Sequence, residues 1–246
     1  MKAVRNILTG VLAVCLFVST PAGAKLVQHL DASVPSNVVT DGAGVVSQWN
    51  DLSGNGNHAV ANRGTVLYPS TPFAAGDVGV DCGLERNDLQ SFDQAGTSAL
   101  LDFSGAAAGN SGFTIFVVCR VDAIGVGDQY LLGTRNTLGN FSFHIEDDGV
   151  VGCKMQSNIA SGGALPAAAG DTIVLGASYE AATGNVWFWE SKNDWTETAT
   201  FVADGDWDSD NPFILGEAKP TANSSSFFRG AIVLQRHFRL SKCNNV

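Results

Sequence analysis

The chain has 246 residues, with 24 acidic against 14 basic side chains and a formal net charge of −10. An acidic balance of this size excludes general nucleic-acid binding, which needs a basic face, but leaves room for one anionic ligand where a few basic side chains converge. Beyond the first residues, no segment is apolar for long enough to cross a membrane.

Residues 1–24 read as a secretory signal: Lys2 and Arg5 supply the basic start, Ile7 to Val18 the apolar run, and Ala22-Gly23-Ala24 the small-residue cleavage site. Residues 25–246 then form one domain, expected to be exported and monomeric. Without Lys2 and Arg5, 12 of the 14 basic residues stand against 24 acidic ones, a charge of −12. Four cysteines follow the signal: Cys82, Cys119, Cys153 and Cys243. Export permits disulfides, while three of the four lie in strand-like runs where a buried free thiol fits equally well.

Leu26–Leu30 opens the series of predicted strands, and Val45–Trp49 is the second. After Trp49 comes a turn-dense loop, Asp51-Leu52-Ser53-Gly54-Asn55-Gly56-Asn57, rich in residues that tolerate left-handed backbone or bond nearby backbone groups. It reads either as a structural corner or as a calcium loop. Hard cations want several oxygen ligands, and Asp31, Asp51 and Asn55 are the candidates. Val78–Cys82 reads as a buried strand and Glu85–Leu101 as a loop with at most one helical turn. Phe113–Val121, FTIFVVCRV, is β-branched and aromatic throughout and carries the strongest strand signal.

Tyr130–Gly133 is short. Phe141–Glu146 alternates, with Phe141, Phe143 and Ile145 opposite Ser142, His144 and Glu146. Asp147-Asp148-Gly149 turns the chain into Val150–Gln156. Thr172–Tyr179 and Asn185–Glu190 form another hairpin, and Phe213–Gly216 and Ala231–Phe238 close the series. About ten short strands with almost no helical periodicity predict an all-β fold, an antiparallel two-sheet β-sandwich.

The motifs LDAS, VSQWNDLSGNGNHA, FTIFVVCRV, DTIVLGASY and FFRGAI, in this order, resemble the laminin-G-like, concanavalin-A-like jelly-roll superfamily. Three further pieces, LVQHLDAS at Leu26–Ser33, GVDCGLERNDLQSF at Gly79–Phe92 and FWESKN at Phe188–Asn193, are similar to the ulvan lyases of polysaccharide lyase family 28. The C-terminal AIVLQRHFRLSKCNNV departs from that pattern and lacks a tyrosine the resemblance would place there. The resemblance implies a secreted enzyme cleaving a uronate-containing, ulvan-like polysaccharide by β-elimination. A non-catalytic carbohydrate-binding module is the other reading, because one fold hosts many activities.

A uronate lyase neutralises the sugar carboxylate, removes the neighbouring proton and protonates the leaving oxygen, with no redox cofactor. Strand alternation offers Arg120, His144, Lys154 and Gln156 as one concave face, if their strands are neighbours. Arg120 and Lys154 would hold the carboxylate, with Gln156 adding a hydrogen bond. His144 or Lys154 would take the proton and Tyr130 return one, with His237 a substitute for the missing tyrosine. Trp195 and Trp207, in polar stretches, are the expected aromatic contacts to sugar. Trp187 and Trp189 share a face opposite Phe188, a pattern commoner in clusters between strands. The Glu-x-Asp-x-x-Glu arrangement of jelly-roll glucanases is absent.

Overall fold

A computed structural model describes residues 25–70, 78–83, 87–91, 110–134, 141–155, 158–165, 168–180, 183–191, 195–200, 213–217 and 227–241. Seventeen strands occur among the described residues, with one 3-10 turn at Pro35–Asn37. They form two antiparallel sheets.

Sheet A runs in the order β15 (Trp195–Thr200), β14 (Asn185–Glu190), β13 (Thr172–Glu180), β8 (Asn110–Val121), β17 (Gly230–Ser241), β6 (Gly79–Gly83) and β5 (Leu67–Ser70). β1 (Lys25–Asp31) also pairs with β17, beyond the part that β6 holds. Sheet B runs β12 (Asn158–Ala164), β11 (Val150–Met155), β10 (Phe141–Ile145), β9 (Gln129–Thr134), β16 (Phe213–Leu215), β7 (Asp88–Ser91), β4 (Ala59–Arg63), β3 (Val46–Trp49) and β2 (Val38–Thr40).

The period-2 alternation of β8 explains why it sits near the middle of sheet A. Phe113, Ile115, Val117, Cys119 and Val121 all point inward and are fully buried. Ile173, Leu175, Ala177 and Tyr179 of β13 and Phe188 of β14 extend that surface, while Phe141, Phe143, Ile145 and Cys153 face it from sheet B. The two sheets interlock through aromatic rings. Phe113 of sheet A meets Phe141 of sheet B edge-on at 5.3 Å, and Phe141 stacks on Phe213 at 6.4 Å. Trp49, at the end of β3, is fully buried in the same core.

Every predicted strand is present, within a few residues at its ends. Six more were not expected: β2, β4, β5, β7, β12 and β15. Asp88–Ser91 lies within the stretch read as loop, yet pairs with both β4 and β16. Cys82, Cys119 and Cys153 are free, buried thiols, and burial pushes all three upward, which keeps them protonated and inert. Cys243 and residues 1–24 lie outside the described residues.

Candidate functional site

The outer face of sheet B gathers three of the expected groups. Because β10 alternates, Ser142 and His144 point away from Phe141, Phe143 and Ile145. A register shift between Phe143 and His144 brings Tyr130 of β9 directly opposite His144. The two rings stack, 5.0 Å between centroids and 26° between planes. On the other side His144 faces Gly152 of β11. A Cβ there would lie 2.7 Å from His144 Nε2 and 2.9 Å from Glu146 Oε1. Only glycine leaves the space into which the imidazole is laid.

Polar contacts frame the stack. Ser142 Oγ and His144 Nδ1 are hydrogen-bonded at 3.1 Å, and Ser161 Oγ donates to Glu146 Oε1 at 2.7 Å. Lys154 pairs with Ser142 across one strand boundary and with Ile159 across the next, and it is partly exposed. Tyr130 and His144 are covered, at 4% and 3% exposure. Burial, with smaller contributions from Asp128 and Glu146, pushes the Tyr130 hydroxyl up to about 12. It therefore stays protonated across the neutral range.

Arg120 does not join this face. Its strand, β8, pairs with β13 and β17 in the opposite sheet. Its guanidinium forks onto Asp122 at 2.5 and 2.7 Å and lies 4.0 Å from Asp81. The Asp122 hydrogen bonds raise its pKa further. His237 likewise lies on β17, in sheet A. Trp195 opens strand β15 opposite Glu190, in place of the expected polar loop. Gln156 and Trp207 lie outside the described residues.

The Asp51 loop is a hydrogen-bonded corner. Asp51 Oδ1 accepts from the backbone N–H of His29 and of Ser53, and Oδ2 accepts from Ser53 Oγ and the Asn57 N–H. Asn55 donates through Nδ2 to the carbonyls of Leu26 and Val27, and Asn57 Nδ2 donates to Val27 as well. These bonds tie β1 to the loop, and the buried Trp49 ring anchors its base. Asp31 Oδ1 takes the Ser33 N–H and hydroxyl. Two of the three expected calcium ligands thus serve the corner as hydrogen-bond partners: both Asp51 oxygens accept from donors, and Asn55 turns its amide nitrogen inward.

Sequence reasoning missed a second polar centre. Asp88 of β7 and Glu217, just beyond β16, are fully buried and face one another. Asn62 Nδ2 donates to Asp88 Oδ1, and Arg63 Nη1 donates to Glu217 Oε2 at 3.1 Å. One guanidinium serves two buried carboxylates, and the direct ion pair goes to Glu217. Burial first, then the Glu217 contact, pushes Asp88 up to about 7. An aspartate inside a stretch read as loop carried no signal of this.

The two antiparallel sheets define an all-β sandwich, a fold that hosts many unrelated activities and does not by itself assign one. No protein-family model matches the sequence, and no curated protein matches it. Solved structures share the architecture. Domain 4 of AbnA, an extracellular GH43 arabinanase of Geobacillus stearothermophilus solved with arabinotriose, superposes with a TM-score of 0.59 at 15% identity, over 90% of this chain and 95% of that one. A botulinum neurotoxin type C structure, described as entering cells by way of two ganglioside molecules, gives 0.58 at 11% identity, over 89% of this chain and 49% of that one. A mutant Trypanosoma rangeli sialidase with trans-sialidase activity gives 0.55 at 12% identity, over 89% of this chain but only 31% of the sialidase.

Proposed function

We propose that this is an exported carbohydrate-binding domain that takes an acidic, uronate-containing polysaccharide on the outer face of sheet B. The observation that carries the reading is that the covered Tyr130–His144 stack forms the floor of a face on which Lys154, Glu146 and Ser161 reach the surface. A carboxylated sugar presents the complementary features: an anion for Lys154 and hydroxyls for Ser161 and Glu146.

Catalysis is the second reading, favoured by one observation: a histidine and a tyrosine lie in contact, as base and acid would in β-elimination of an ulvan-like polymer. A group that moves a proton must touch its substrate, however, and both rings are covered. Arg120, the expected carboxylate clamp, belongs to the other sheet. Binding therefore ranks before turnover.

The purified protein is mixed with ulvan, alginate and glucuronan, and both binding and ultraviolet absorbance of an unsaturated uronate product are followed. Saturable binding without absorbance change, weakened by Lys154→Gln, supports the first reading. An absorbance rise abolished by His144→Ala supports the lyase. Neither binding nor product contradicts both.

A further inference from the structure

The outer face of sheet A carries a second constellation, separate from the Tyr130 face. On β14, Phe188 is fully buried while Trp187 and Trp189 point to the opposite side and are partly exposed. Residues two apart on a strand are about 6.7 Å apart, so the indoles stand side by side. Across the sheet Trp189 pairs with Gly176, and Gly176 pairs with Phe116. A Cβ at Gly176 would lie 2.9 Å from Phe116 Cε1, so the missing side chain lets the Phe116 ring cover the strand and meet Trp189 edge-on at 6.5 Å. Trp187 pairs with Ser178, whose hydroxyl is bonded to Thr114 at 2.9 Å. Hydroxyls thus border the aromatic row.

The next residue along that row is a cation. Arg236 of β17 pairs with Phe116 on one side and His29 of β1 on the other. Its Nε is buried without a hydrogen-bond partner, and none of the ion pairs among the described residues engages it. His29 does not offset this charge. Burial, and then Arg236 itself, lowers the His29 pKa, against the opposing pull of Asp31 and Asp51. Asp31 is occupied with Ser33. By contrast, Arg120 on the same sheet has two carboxylates to itself. Among the described residues, no carboxylate pairs with Arg236.

We infer that the outer face of sheet A is a second carbohydrate site, in which Trp187, Trp189 and Phe116 support the apolar face of a sugar ring and Arg236 receives the carboxylate of an acidic sugar. Indole and phenyl faces stack on the C–H side of pyranoses, and a planar guanidinium takes a carboxylate in two parallel hydrogen bonds. The anion preference follows from the unmatched charge. This site does not depend on the sheet B reading.

The test uses a short oligogalacturonate and a neutral oligosaccharide of equal length, with tryptophan fluorescence and calorimetry as readouts. Four proteins are compared: wild type, Trp189→Ala, Arg236→Gln and Lys154→Gln. The acidic probe is expected to change the fluorescence of wild type and of Lys154→Gln alike. Trp189→Ala should remove most of that change, and Arg236→Gln should weaken the phase roughly tenfold or more, as loss of a charge-assisted pair does. The neutral probe should bind this face more weakly than the acidic one. Unchanged melting temperatures establish that the variants fold. Absence of any fluorescence response in wild type, or a response untouched by both sheet A variants, overturns the inference. So does a change confined to self-association, which would make the face a contact between copies.

Discussion

Each sheet uses one glycine to lay a ring flat on its outer surface: Gly152 beneath His144 in sheet B, Gly176 beneath Phe116 in sheet A. The outcomes differ. In sheet B the ring is stacked on Tyr130, bonded to Ser142 and covered, so the face is a fixed polar cluster with Lys154 at its margin. In sheet A the ring lies beside a partly exposed indole and an arginine that no carboxylate among the described residues pairs with. A glycine gives the ring its place; the flanking residues decide whether that place becomes a buried scaffold or an open surface.

Protonation offers the largest contrast. Asp88 of sheet B is raised from 3.8 to about 7, so the folded state holds a proton there that the unfolded chain has lost above pH 4. Stability from this group is full in acid, falls as pH climbs through that window at up to about 1.4 kcal/mol per unit, and levels off above 7. His29 of sheet A is lowered, so its contribution has the opposite sign, being lost as pH falls below its ordinary 6.5. Denaturant melts from pH 4.5 to 8 should show a net decline with rising pH that Asp88→Asn abolishes. A decline that persists in Asp88→Asn assigns it elsewhere.

Gly152→Ala comes next. Its new methyl would meet the buried His144 and Glu146 side chains, and overpacking of this kind costs about 1–3 kcal/mol. Gly176→Ala should cost less, below roughly 1 kcal/mol, because Phe116 can swing outward and alanine is the better strand residue. Equal losses in the two variants would show that the faces are equally rigid. The smallest effect expected is that of a chelator on the melting temperature, which should be nil, since four donors already hold the Asp51 carboxylate.

Most of the core was legible because β8, β10, β13 and β14 alternate with bulky residues inward, and alternation put His144 and Lys154 on one face, whereas Tyr130 joins them only through the β9–β10 register. The strands missed are those whose inward residues are few or small. Leu89 alone carries β7, Ala59 carries β4, and β12 is largely alanine and glycine. Arg120 was misplaced for a different reason. Alternation tells which way a side chain points within its own strand, but strand order decides which sheet it belongs to, and β8 is drawn between β13 and β17 by contacts remote in sequence. The Asp88–Glu217 pair was hidden for the same reason, its members being brought together only by the pairing of β7 with β16.

The central claim, that the outer face of sheet B contacts an acidic glycan, is tested most directly by mapping backbone amide shifts during titration with a uronate oligosaccharide. Perturbations centred on Gly152, Lys154 and Ser161, and weakened in Lys154→Gln, are the predicted result. Saturable binding that leaves these amides unmoved would contradict it.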